Sequence, residues 1–140
     1  GLTKAEKRGE REARAGVVST YNHDNRIGVV LEVNCETDFV ARTDEFMELV
    51  KDIAMHIAAT APLYVNSEQI PAEKKDAKTK EFGDKARNEG KPDSMIPQIV
   101  EGMVKKYFAE QCLLDQPFVK NPDQTVEQFV KDGIARLGES

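Results

Sequence analysis

The 140-residue sequence has only two cysteines, Cys35 and Cys112. Two are too few for a disulfide scaffold, and neither has CxxC spacing. Free, buried thiols in a reducing compartment are therefore expected. No apolar run approaches the roughly 20 residues that a membrane-spanning helix needs. The opening Gly1-Leu2-Thr3-Lys4-Ala5-Glu6 lacks the apolar core of an export signal. It also lacks an initiator Met, which leads us to expect a further segment upstream. Basic residues are in deficit, with 20 Lys and Arg against 25 Asp and Glu, a net charge of −5, and the two signs are interspersed. A protein that neutralises many phosphates presents a basic face, so nucleic acid is not the expected partner, and no membrane partner is expected either. Neither GxGxxG nor GxxxxGK[ST] occurs, which excludes the nucleotide sites built on those loops. No Ser or Cys stands with a His and an acid at a known catalytic spacing. The sequence thus reads as a non-enzyme without cofactor or metal.

Apolar residues make up 39% of the chain, enough to bury a core in one domain with room for a small appended lobe. Residues 2–15 are charged and helix-favouring, and Gly16 supplies a stop. Val17–Tyr21 and Ile27–Val33 are β-branched runs separated by the turn-rich Asn22-His23-Asp24-Asn25-Arg26, so a hairpin is predicted over about 17–34. The second run is nearly all apolar and predicts a central strand. Thr43 is the expected N-cap of a helix over about 43–61, with acids in its first turn and Pro62 at its end. Phe46, Leu49, Val50, Ile53, Ala54 and Ile57 recur along it at helical spacing. Pro62–Val65 reads as a short extended piece. Residues 67–90 read as a charged, partly helical, mobile surface arm with Phe82 as its one large apolar residue. A second amphipathic helix is predicted over about 95–114, with Pro97 tolerated in its first turn, then a loop over 118–124. A last helix, capped by Thr125, runs over about 125–137 and stops at Gly138. Adjacent strands with helices after them predict an α+β fold, a small antiparallel sheet packed against the helices of 43–61, 95–114 and 125–137.

Few residues stand out chemically. Glu36 and Asp38, two apart in an irregular stretch, could do acid–base work or hold a cation, but no metal-binding spacing surrounds them, and solvated loop acids are the plainer reading. His23 falls in a predicted turn at the surface. His56 lies one step off the apolar stripe of helix 43–61, at the boundary of burial. Phe39 is the odd residue, a large aromatic in a polar loop between a stiff strand and a capped helix. It is either tucked under that loop as core or exposed as an anchor for a partner, flanked by an acid that fixes register.

Val33-Asn34-Cys35-Glu36-Thr37-Asp38-Phe39-Val40-Ala41-Arg42 resembles the signature segment of elongation factor Ts. Further stretches resemble other markers of that family, among them Leu2–Arg8, Gly16-Val17-Val18, Ala54-Met55-His56-Ile57-Ala58-Ala59, Gly90-Lys91-Pro92 and Leu113–Lys120. The resemblance covers nearly all 140 residues. It implies a guanine-nucleotide exchange factor that binds the GTPase domain of elongation factor Tu. Thr37, Asp38, Phe39 and Val40 would form the working tip, with His56 as a further contact. Phe39 would then be the exposed anchor, and the Asp38-Phe39 pair would disturb the partner's Mg²⁺ and phosphate site. The resemblance further implies that residues 1–16 are a helical linker from an N-terminal domain outside this sequence and that 17–140 form the core and dimerisation domain. A strand that usually follows Gly138-Glu139 would be absent. Homodimerisation is implied too, as is the cytoplasm of a bacterium or an organelle of bacterial descent.

Overall fold

A computed structural model describes residues 15–35 and 38–138, apart from the side chains of Asp38 and Phe39. The helical lead-in expected over 2–15 lies outside the described residues except for Ala15, which already begins a strand. The fold is α+β, as expected, with four long helices and two small antiparallel sheets among the described residues. The chain divides into two compact units. One runs to Ala61 and resumes at Pro117, and the other is Pro62–Gln116. Among the described residues no helix is long and apolar enough to cross a membrane.

In the first unit, β1 (Ala15–His23) and β2 (Ile27–Cys35) pair antiparallel, with Val17 opposite Val33 and Tyr21 opposite Val29. Their turn places Asp24 and Asn25 at φ 54° and 56°, the mirror-image turn whose twist suits a hairpin. Gly16 sits at φ 152°, and a Cβ there would fall 2.3 Å from the Val33 carbonyl oxygen, so only glycine lets the strands close. The apolar β2 run predicts a central strand, but the described sheet has two strands and β2 is an edge. Alternation explains the composition. Val29 points inward, while Val18 and Val30 on the outer face are 68% and 76% exposed.

The hairpin packs on α2 (Asp44–Thr60), which is preceded by a single helical turn, α1 (Asp38–Ala41). Phe46, Leu49, Val50, Ile53 and Ala54 form the buried stripe of α2, as its periodicity predicts. The helix ends where Ala61 turns left-handed before Pro62. The stretch 118–124, expected as a loop, instead belongs to a second small sheet. There β3 (Pro117–Phe118) pairs with β4 (Asn121–Thr125) through a bulge. Thr125 Oγ1 accepts from Gln128 N–H at 3.1 Å and so caps α5 (Val126–Gly138), as expected. Where α5 meets α2, a Cβ on Gly133 would lie 2.2 Å from Leu49 Cδ1, so any larger residue there would force the Leu49 side chain to shift.

In the second unit, the expected arm of 67–90 resolves into a 3-10 turn at Ser67–Gln69 and a regular 17-residue helix, α3 (Ala72–Asn88). Its partner is α4 (Ile96–Ala109), shorter than the helix expected over 95–114 and joined to α3 through Ala86, Ile96 and Val100. The extended piece 62–65 pairs with the chain after α4, where Leu113 N–H donates to the Tyr64 carbonyl at 2.8 Å. Cys112 is fully buried beside Ile70 and Phe108. Burial pushes its thiol pKa up, which keeps it protonated and unreactive.

Candidate functional site

The tip segment hangs between two stiff elements. β2 delivers it at Cys35, and α2 receives it through Thr43. Glu36 and Thr37 lie outside the described residues. The backbone of Asp38 and Phe39 forms the start of α1, so the stretch expected to be irregular contains one helical turn. Ala41 is buried, Val40 half-buried and Arg42 exposed. Contacts of α1 with β1, β2 and α2 seat this turn on the unit.

Thr43 fastens the far end of that turn. Its Oγ1 donates to the Val40 carbonyl at 2.8 Å, and its amide donates to the same carbonyl at 3.1 Å. The same Oγ1 accepts from Phe46 N–H at 3.2 Å, capping α2. One hydroxyl thus joins tip and helix. Thr43→Ala is expected to cost about 1 kcal/mol, the ordinary loss of an N-cap side chain. Amide exchange at Val40–Phe46 should quicken, and a hydrogen-exchange comparison with the unmodified chain would check it. Unchanged protection there would show that Thr43 does not tether the tip.

His56 is placed differently from a boundary residue. Its exposure is 0%, Nδ1 accepts from Val119 N–H at 3.2 Å, and its ring stacks 5.8 Å from that of Phe118. The structure therefore does not bring it to the surface beside the tip. It holds the chain entering from β3 against α2. Nearby, Lys120 Nζ meets Asp52 Oδ1 at 2.6 Å, which raises the lysine's pKa. This exposed pair adds a second, weaker tie between the same segments. Neither Phe118 nor Thr43 stood out in the sequence as a supporting residue, although Thr43 carried a capping signal. His23 is exposed at the hairpin turn, as expected, and its Nδ1 lies 3.2 Å from the Tyr21 hydroxyl. Among the described residues no group of three or more His, Cys, Asp or Glu side chains could hold a metal ion.

Comparison with known sequences gives the geometry its context. The model of the family described as elongation factor Ts matches residues 4–138.

The chain belongs to the elongation factor Ts family. It is 50% identical over 141 residues to elongation factor Ts of Heliobacterium modesticaldum, with all of this chain and 66% of that protein covered. The protein of the same name from Geobacter sulfurreducens is also 50% identical, with 65% of its length covered. The one from Thermodesulfovibrio yellowstonii is 47% identical, with 70% covered. The chain thus spans slightly under two thirds of the length of the first two relatives.

Proposed function

We propose that this chain binds elongation factor Tu·GDP and promotes GDP release during translation elongation, as a guanine-nucleotide exchange factor. Membership of the elongation factor Ts family over residues 4–138 carries the reading. The tie of Thr43 to the Val40 carbonyl supports it, because backbone fixed before binding loses less conformational freedom on docking. In this mechanism Phe39 enters a pocket of the GTPase domain as an apolar wedge. Asp38 hydrogen-bonds beside it, with Thr37 and Val40 flanking. The Mg²⁺ that holds the partner's nucleotide tolerates little departure from octahedral geometry, so displacing its surroundings loosens GDP.

No bond is made or broken, and the chain needs no cofactor of its own. The two ligands of elongation factor Tu oppose each other. The exchange factor prefers the nucleotide-free state, so it weakens GDP by the same free energy with which GDP weakens it, and GTP entry later releases the factor. His56 acts from behind by holding Val119, since a direct contact with the partner would require lifting the Phe118–Val119 segment from α2. We further propose the bacterial cytoplasm, or an organelle of bacterial descent, as its place. Nucleic acid and membrane are not partners in this reading. The exposed Val18 and Val30 on the outer face of the hairpin favour homodimerisation as a second property, and sedimentation would settle it.

The test is stopped-flow release of a fluorescent GDP analogue from elongation factor Tu, paired with direct binding to the nucleotide-free GTPase. Faster release, or tight binding to the empty form with competition by GDP, is expected. No binding to nucleotide-free elongation factor Tu would overturn the proposal and leave an interaction domain without exchange activity.

A further inference from the structure

The second unit holds a feature that the exchange reading does not use. α3 and α4 run antiparallel, with Ala86 beside Ile96 and Val100 at one end and Ile70 beside Phe108 and Cys112 at the other. The two sides of this helix pair are unequal. One side is closed by large groups. Phe82 meets Tyr107 edge-on with ring centroids 6.0 Å apart, and Lys78 Nζ lies 4.4 Å from the Tyr107 ring. On the other side α3 presents Thr79 and Gly83, and a groove of about 860 Å³ opens along the pair. Val100, Val104 and Phe108 of α4, with Ile70, line its floor.

Charge is distributed along this groove rather than gathered at one end. Lys75, Lys80 and Arg87 line it from α3, and Lys105 lines it from α4. Glu101 and Asp115 are the acids among its lining residues, so cations outnumber acids here although the whole chain carries −5. Arg87 pairs with Asp84. Among the described residues Lys75, Lys80 and Lys105 make no ion pair. An apolar floor between unneutralised cations is an incomplete surface. Its missing counterpart is apolar on one face and acidic on the flanks.

We propose that this groove docks an acidic amphipathic helix of a partner protein. Length fits the shape. From Lys75 to Arg87 the groove runs 12 residues of helix, about 18 Å at 1.5 Å per residue, which a partner helix of three to four turns would match. Charge fits as well. Lys75 and Lys80 line the groove from α3 and Lys105 lines it from α4, so acids on the two flanks of a facing helix would meet cations on both walls. A fatty acid would need one cation at one end of a slot. A nucleic-acid strand would use the lysines but gain nothing from the floor of Val100, Val104 and Phe108. An apolar face at i, i+3, i+4 and i+7, set into a groove with acids at its edges, uses both.

The test uses the full chain and a designed, end-blocked helical peptide of about 17 residues, three to four turns plus ends. The peptide carries Leu on one face and Glu on both flanks, and a scrambled peptide of identical composition serves as control. Nuclear magnetic resonance titration should shift amides of α3 and α4 saturably with the first peptide and not with the second. Two variants probe the two halves of the idea. The double variant K80E/K105E should weaken binding at least about tenfold and restore it for a Lys-flanked peptide, as complementary charge requires. Gly83→Leu should also weaken binding about tenfold by filling the groove. It should leave the fold intact, because a Cβ at Gly83 meets only the Arg87 guanidinium at 3.7 Å and leucine favours helix over glycine. Equal binding of the scrambled peptide, no effect of either variant, or equally tight binding of a single-stranded RNA oligomer would each overturn the proposal.

Discussion

Phe39→Ala is expected to slow chain-stimulated GDP release from elongation factor Tu by about 10- to 150-fold while leaving thermal unfolding unchanged. The magnitude follows from burial. A Phe side chain fully removed from water contributes about 1.5–3 kcal/mol, and each 1.4 kcal/mol is tenfold in an equilibrium constant. The pairing of the two measurements decides between the readings the sequence leaves open. A wedge that fills the partner's pocket costs exchange and nothing else. A core residue tucked under the tip would cost stability first, and the melting temperature would fall whether or not elongation factor Tu is present. Equal exchange rates for the unmodified chain and Phe39→Ala would remove Phe39 from the mechanism.

Asp38→Ala supplies the complement. A hydrogen bond to a charged group is worth about 1.5–3 kcal/mol, so its loss should rival that of Phe39. The two residues are adjacent on one helical turn and are proposed to meet one partner surface, so their effects should not add. A double variant that loses less than the product of the single losses would show that wedge and acid act as one unit. Thr43→Ala gives a third level, with a smaller loss of exchange, because it loosens the mount and leaves both contact groups in place.

Much of this architecture is legible in the sequence because its signals are local. The stripe from Phe46 to Ile57 needs only helical period, Thr43 only a cap position, and the hairpin only β-branched runs around a polar turn. The parts that escape depend on partners distant in sequence. α3 has few large apolar residues, and its order comes from packing on α4, so composition alone suggests a mobile arm. β4 reads Asn121-Pro122-Asp123-Gln124-Thr125, a turn-like string that becomes a strand because it pairs with β3. The β2 run looks central since its outward valines resemble inward ones, and strand composition does not count neighbours. At the tip, family resemblance reaches further than composition does. It marks Thr37–Val40, whereas the tether through the Thr43 hydroxyl emerges only once the geometry is known. His56 shows the opposite limit. One step off the apolar stripe predicts a boundary residue, and only the arrival of Phe118 and Val119 from more than 60 positions away buries it.

That arrival also identifies the residue on which the first unit most depends. Phe118 is 2% exposed, stacks on Phe129 of α5 with centroids 4.2 Å apart, and faces His56 of α2 on its other side. It occupies the position where β3, α2 and α5 meet, and no other side chain in the described core links all three through ring contacts. Phe118→Ala removes both ring contacts and leaves a void in a close-packed region, a change that costs about 3–5 kcal/mol. For a chain of this size that is a fall in melting temperature on the order of 15 °C. Phe118→Leu refills much of the volume and should recover more than half of the loss. His56→Ala should cost less than Phe118→Ala, since it removes the acceptor for Val119 N–H but leaves the Phe118–Phe129 stack. Differential scanning calorimetry orders the three variants. If Phe118→Ala melts within about 3 °C of the unmodified chain, less than the fall for 1 kcal/mol, then the ring stack does not hold the unit together and the support of the tip must lie in the α2–hairpin packing alone.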